Sequence, residues 1–241
     1  MAAQKDGAPL WERLERPAPT PRQTLSPQRI ATTAVAVADA EGLDAITMRR
    51  LATELGVAPM AAYRYVSGKD ELLELMVDHV YAELELPPAT AGWRETLRAI
   101  AVRTRELMLH HLWLGQLPPS AMLALTPNRT AVSECSLRAM TGEGLDPDTA
   151  MAMATTVSSF IHGMTGSEIA MRQVMAGQGW SDEQQVYTSL APQLTYLLGT
   201  GRYPSFSRYI HEGRCKNDPG WQFETGLEYV LDGIAARISA S

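Results

Sequence analysis

Cysteine is scarce in this 241-residue chain, and the two present, Cys135 and Cys215, stand 80 positions apart. No CxxC pair, Cys/His cluster or disulfide framework can be built from them, which fits a reducing compartment. Long hydrophobic runs are missing as well. The N-terminus, MAAQKDGAPLWERLERPAP, lacks the apolar core of a signal peptide, and no stretch approaches the roughly 20 residues of a membrane span. A cytoplasmic protein with no membrane partner is the expectation. There is no excess of positive charge: 21 Lys and Arg face 27 Asp and Glu, a net −6. Wholesale electrostatic coating of nucleic acid is thereby excluded. Residues 1–70 nevertheless carry net +1 and the remainder net −7, so a polyanion-binding surface belongs in the first third. Alternating apolar and polar runs with flanking turn signals, the mark of strands, are absent. So are GxSxG, a glycine-rich phosphate loop and HExxH. A hydrolytic group imagined from Ser158 or Ser159, His162 and Glu168 or His111 therefore has no framework. No catalytic, metal or cofactor site is expected.

What the chain does have is helical punctuation. Residues 1–25 read as a flexible tail, because Pro9, Pro17, Pro19 and Pro21 interrupt any helix and no apolar stripe runs through them. Ser26-Pro27 is an N-cap followed by proline at the first helical position. Ile30, Ala34, Val37 and Ala38 then repeat at helical spacing up to Gly42. Thr47 caps a second helix, Met48 to Leu55, closed by Gly56. A third opens at Pro59 and runs to about Tyr65. Ser67 and Asp70 suggest a capping box for a fourth, about Asp70 to Leu84, ended by Pro87-Pro88. Beyond the linker 87–92, amphipathic helices are expected at about 93–109, 127–140, from 147 onward, from a second capping box at Ser181–Gln184 to about Gly199, and from about Trp221 to the end. Residues 201–219 read as irregular. The fold class is all-α: a three-helix head at 26–86 that includes its connector helix, then a larger helical domain at 93–241.

Within the head, Thr47 to Tyr65 has the layout of a helix-turn-helix. Ala52 permits a close helix crossing, Gly56 occupies the turn and Val57 is expected as the buried turn residue. The spacing by itself leaves a DNA reader and a plain helical core both open. Specific elements narrow it: Thr47, Arg49, Leu51-Ala52, Leu55-Gly56-Val57, Tyr63, Tyr65-Val66, Lys69 and Leu72-Leu73 hold fixed register within ITMRRLATELGVAPMAAYRYVSGKDELL. This block resembles the DNA-binding domain of the TetR family of bacterial repressors. Trp93-Arg94, His111-Leu-Trp-Leu114, Phe160-Ile-His-Gly163 and Phe223-Glu-Thr-Gly-Leu227 with Leu231-Asp-Gly233 are similar to the C-terminal domain of its tetracycline-repressor branch.

The resemblance implies a ligand-responsive repressor that binds a palindromic operator as a homodimer. It implies Thr47 as a helix cap near a phosphate, and Arg49 reaching a guanine edge or the backbone. Pro59, Met60 and Ala61 would stand at the base-contacting start of the recognition helix, and Tyr63, Tyr65 and Lys69 at phosphates. The apolar trio offers van der Waals contact, for instance to thymine methyl groups, in place of bidentate hydrogen bonds. Dimerisation is expected through helices at about 148–176 and 221–237, where Ala150, Ala154, Ser158, Gly226 and Ala235 allow close approach. Met108, His111, Met122, Phe160, Met164 and Glu168 are the candidates to line an adaptable small-molecule effector site. The alternative is a helical protein–protein adaptor whose head no longer binds DNA, prompted by the alanine-rich recognition helix and the near-neutral head.

Overall fold

The computed structural model describes residues 9–15 and 25–239, and among them every regular element is helical. In order these are α1 Leu10–Glu15, α2 Pro27–Glu41, α3 Met48–Leu55, α4 Pro59–Ala62, α5 Lys69–Tyr81 and α6 Trp93–His110. They continue as α7 Pro119–Met122, α8 Pro127–Thr141, α9 Pro147–Gln178, α10 Glu183–Gly199, α11 Pro204–Glu212 and α12 Pro219–Ile238. Short 3₁₀ turns sit at Leu43–Ala45 and Leu112–Gln116. The chain packs as two compact units divided after Ala150.

In the first unit α5 is the central post. Leu72, Leu73, Leu75, Met76, Val77, Val80 and Tyr81 are all buried along it. Helix α2 lies against this post and contributes Ile30, Ala31, Ala34, Val35, Val37 and Ala38; α7 and α8 also pack on α5, and α6 packs on α8. Each fully buried Leu, Ile, Val or Met side chain among these contributes about 1.5–3 kcal/mol. Two carboxylates fasten the post and α2 to the later helices. Asp78 accepts from the Asn128 backbone N–H at 2.7 Å and from its side-chain amide at 2.9 Å, so a residue of α5 caps the start of α8. Asp39 on α2 accepts from the Trp113 indole at 2.9 Å and lies 2.8 Å from His111 Nδ1.

The second unit is built on α12, where Phe223, Leu227, Leu231 and Ile234 are buried, and on the part of α9 where Met153, Val157, Ile161 and Ile169 are buried. The Phe160 and Phe223 rings meet at 5.4 Å. Gly226 makes that approach possible: a Cβ there would lie 2.8 Å from Phe160 Cε2. Its small size is thus used inside the chain. Ala150 is likewise buried.

Three expectations are corrected. The reading of a tail through residue 25 fails over Leu10–Glu15, which is helical, with Leu10 3% exposed; an apolar anchor and an Arg13–Glu71 ion pair at 2.6 Å hold it. Pro17, Pro19 and Pro21 of that tail lie outside the described residues. Both capping boxes shift by one position. The N-caps are Gly68 and Asp182, and the answering side chains are Glu71, 2.7 Å from the Ser67 N–H, and Gln185, 2.8 Å from the Ser181 N–H. In each case the third helical residue reaches the amide just before the cap. Finally, residues 204–212 form α11, inside the stretch read as irregular, although α11 has no buried residue.

Candidate nucleic-acid interface

The helix-turn-helix is fixed by local chemistry. Thr47 is extended and its hydroxyl oxygen accepts from the Arg50 N–H at 3.0 Å, capping α3. Gly56 closes α3 at φ +67°, ψ +33°, the left-handed conformation that glycine adopts without a Cβ penalty. The next amide, Val57 N–H, returns to the Ala52 carbonyl at 3.0 Å, while the Val57 side chain is half-buried where the sequence suggests a buried one. Ala52 is 1% exposed and Ala62 fully buried, so both alanines are packing residues between the two helices. Of the recognition segment only Pro59–Ala62 is α-helical. Bonds from Arg64 N–H to Ala61 and from Tyr65 N–H to Ala62 then tighten it into turns, short of the expected helix to Tyr65.

This scaffold divides its side chains into those used internally and those left outward. Arg50 is used: its guanidinium pairs with Glu41 at 2.7 Å and Glu54 at 2.9 Å. Arg49, one residue earlier, is exposed and has no side-chain partner among the described residues. Met60 is 73% exposed and Tyr63 44% exposed; Ala61 is half-buried. Lys69, the first residue of α5, is exposed and also unpaired among the described residues. Tyr65 differs from the others: its hydroxyl donates to the Leu25 carbonyl at 2.9 Å, which ties the segment before α2 to the end of the recognition turn. That donor is unavailable to a phosphate. Arg64 is exposed, has no partner among the described residues and lies in the same turn as Tyr63. With Tyr63 and Lys69 it belongs to the polar part of the outward set.

The effector candidates fare differently. Met108 is buried and His111 is only 4% exposed, its Nδ1 against Asp39 and its Nε2 3.4 Å from Glu83. His111 thus joins helices of the first unit. Met122, at the end of the four-residue α7, is 47% exposed. In the second unit Phe160 and Met164 are half-buried, and Glu168 pairs with Arg172 at 2.7 Å. The His162 Nδ1 lies 2.8 Å from the Ser158 carbonyl and 3.4 Å from the Ser158 hydroxyl, both contacts within one turn of α9. A groove of about 360 Å³ opens between the end of the α5 segment and α6, lined by Glu83, Leu84, Glu85, Arg103, Glu106, Leu107 and His110. None of the six candidates lines it. No group of three or more His, Cys, Asp or Glu able to hold a metal occurs among the described residues. None of their helices is long and apolar enough to cross a membrane.

Comparison with known proteins places these features in a context. Residues 30–76 match the family described as bacterial regulatory proteins, tetR family, and residues 86–238 match the tetracyclin repressor-like C-terminal domain. The HTH-type transcriptional repressor DrrR1 of Streptomyces coeruleorubidus is 32% identical over 232 residues, spanning 95% of this chain and 84% of its own. The tetracycline repressor protein class E of Escherichia coli is 26% identical over 158 residues, 62% of this chain and 72% of its own. Among solved structures, the Streptomyces coelicolor TetR family protein ActR in complex with actinorhodin superposes with a TM-score of 0.72 at 29% identity, over 88% of this chain and 96% of ActR.

Proposed function

The chain belongs to the TetR family of bacterial transcriptional regulators, and from that premise we propose that it is a homodimeric repressor that reads a palindromic operator and is released by a small molecule. Members of this family are regulators of transcription, not enzymes. The observation that carries the reading is the division of labour on the helix-turn-helix. Arg50 and Ala62 are committed to the fold, while Arg49, Met60, Tyr63, Arg64 and Lys69 face outward from it. Arg64, Lys69 and Tyr63 are assigned to phosphates, and Arg49 with Met60 and Ala61 to the base edges. Pro59 sets the start of the recognition helix. Thr47 orients α3 and offers its exposed position to the backbone.

We assign residues 26–86 to the reading head with its connector α5, and the residues from 93 onward to effector binding and dimerisation. Two copies present two heads, which must stand about 34–36 Å apart to meet successive major grooves. A second copy is supported by apolar side chains that α9 and α12 leave outward: Met151, Met171, Val174, Trp221 and Tyr229 are each 37% exposed or more. An effector then needs only about 1.4 kcal/mol of preference for the non-binding form to weaken operator affinity tenfold. Because ActR was solved with actinorhodin, that compound is the first effector to titrate.

The test is selection of bound fragments from a random duplex pool at near-physiological salt. A recovered palindrome with half-sites one helical turn or more apart supports a dimeric reader. A folded dimer that enriches nothing overturns it in favour of the adaptor reading.

A further inference from the structure

Helix α1 lies outside the matched family region, which begins at residue 30, yet it is fastened to the part of the head that faces DNA. Its Leu10 is 3% exposed, and the Arg13 guanidinium bonds Glu71 Oε2 at 2.6 Å. That same oxygen accepts the Ser67 N–H at 2.7 Å. The N-cap residue of α5, Gly68, has no side chain to cap with, so Glu71 is what holds the turn leading into Lys69. The other end of this stretch is held by the Tyr65 hydroxyl on the Leu25 carbonyl. Residues 65–71 are therefore clasped at two points by chain that precedes α2, and between them and just before them lie Lys69, Arg64 and Tyr63.

We propose that Arg13 is a positioning residue for DNA binding: through Glu71 it braces the Ser67–Gly68 turn and so fixes where Lys69 meets a phosphate. The proposal rests on the DNA-binding reading for its affinity consequence, but not for its structural one. Arg13 itself does not touch DNA in this scheme. Neutralising it releases one oxygen of Glu71, loosens the turn and spreads the Lys69 ammonium over more positions, each less well placed. A half-buried ion pair of this kind is worth about a two- to five-fold change in an equilibrium.

The experiment is a double-mutant cycle of Arg13→Gln with Lys69→Ala, using a mixed-sequence duplex at low ionic strength as the probe. It is joined to hydrogen exchange over residues 63–72 without DNA. The expected result is faster exchange at the Ser67 amide in Arg13→Gln, duplex binding weakened about two- to five-fold, and a salt slope reduced by up to about one. In the Lys69→Ala background Arg13→Gln should add almost nothing, since the group it positions is gone. Arg13→Lys, which keeps the charge and guards against misfolding of the glutamine variant, should fall between. Unchanged exchange at Ser67 overturns the brace. Equal losses in both backgrounds also overturn it, because α1 would then contact DNA itself or act through general stability. If Ser67 responds while even the wild-type protein binds no duplex, the brace stands and the DNA-binding reading falls.

Discussion

Adjacent arginines with opposite employment define the residue scale. Arg50 is held between Glu41 and Glu54, whereas Arg49 has no partner among the described residues, and the sequence alone shows only that one of the two is a solvated charge. The difference follows from helical geometry: four residues separate Arg50 from Glu54, which puts both on one face of α3. Arg49→Ala is accordingly expected to weaken operator binding and alter sequence preference, while Arg50→Ala leaves DNA affinity near wild type; titration of selected and scrambled duplexes distinguishes them. Lys69→Ala and Arg64→Ala should each weaken binding uniformly across sequences and lower the salt slope by about one. Tyr65 was the site residue least legible in sequence, because its hydroxyl is consumed by Leu25, 40 positions away. Glu71 carries a pH consequence. Burial pushes its carboxyl up, but the Ser67 amide and the Arg13 guanidinium outweigh burial and hold it below the usual glutamate value. A lowered folded pKa contributes stability that is present above the unfolded value and lost as pH falls through the folded one. Thermal denaturation on the acid side of the usual glutamate range should thus depend less on pH in Glu71→Gln than in wild type.

At the scale of elements, most helix starts and stops were written in local chemistry. Ser26, Thr47, Gly56 and the prolines at the starts of α2, α4, α8 and α9 stand where sequence placed them. What local chemistry could not give was the partner across the fold. Nothing near Asn128 announces that Asp78 will cap its helix, 50 positions away. Helix α11 shows the converse: Phe206, Tyr209 and Ile210 form a stripe at helical spacing, but Pro204 and Gly213 bracket it so closely that it reads as loop. Two substitutions test this layer. Gly56→Ala forces a Cβ into a left-handed turn and should cost about 1–2 kcal/mol in denaturant unfolding. Asp78→Ala removes the acceptor of the half-buried Asn128 backbone N–H and leaves its side-chain amide only the Asp78 carbonyl; it should cost about 1–3 kcal/mol, with faster exchange in the first turn of α8.

At the scale of the whole molecule, the acidic total and the near-neutral first third belong together. A chain of net −6 is repelled by DNA except where outward cations gather, so its affinity resides in the head. Apolar side chains left outward on α9 and α12 supply the matching prediction. Trp221→Lys with Tyr229→Lys places charge where a second copy would press, and sedimentation should report monomers that keep their helical content. Such monomers are expected to lose the palindrome while retaining weak, salt-sensitive binding to any duplex.

The Met60 side chain, 73% exposed, stands apart from what keeps the head folded. Thr47 caps, Gly56 turns, Ala52 and Ala62 pack, and the Ala61 carbonyl accepts the Arg64 N–H; the Met60 side chain takes part in none of it. Exchanging it is expected to leave denaturant unfolding near wild type, and on the proposed reading it changes the surface offered to the groove. On that reading a single exchange at this tip would retarget the head without a detour through a destabilised fold.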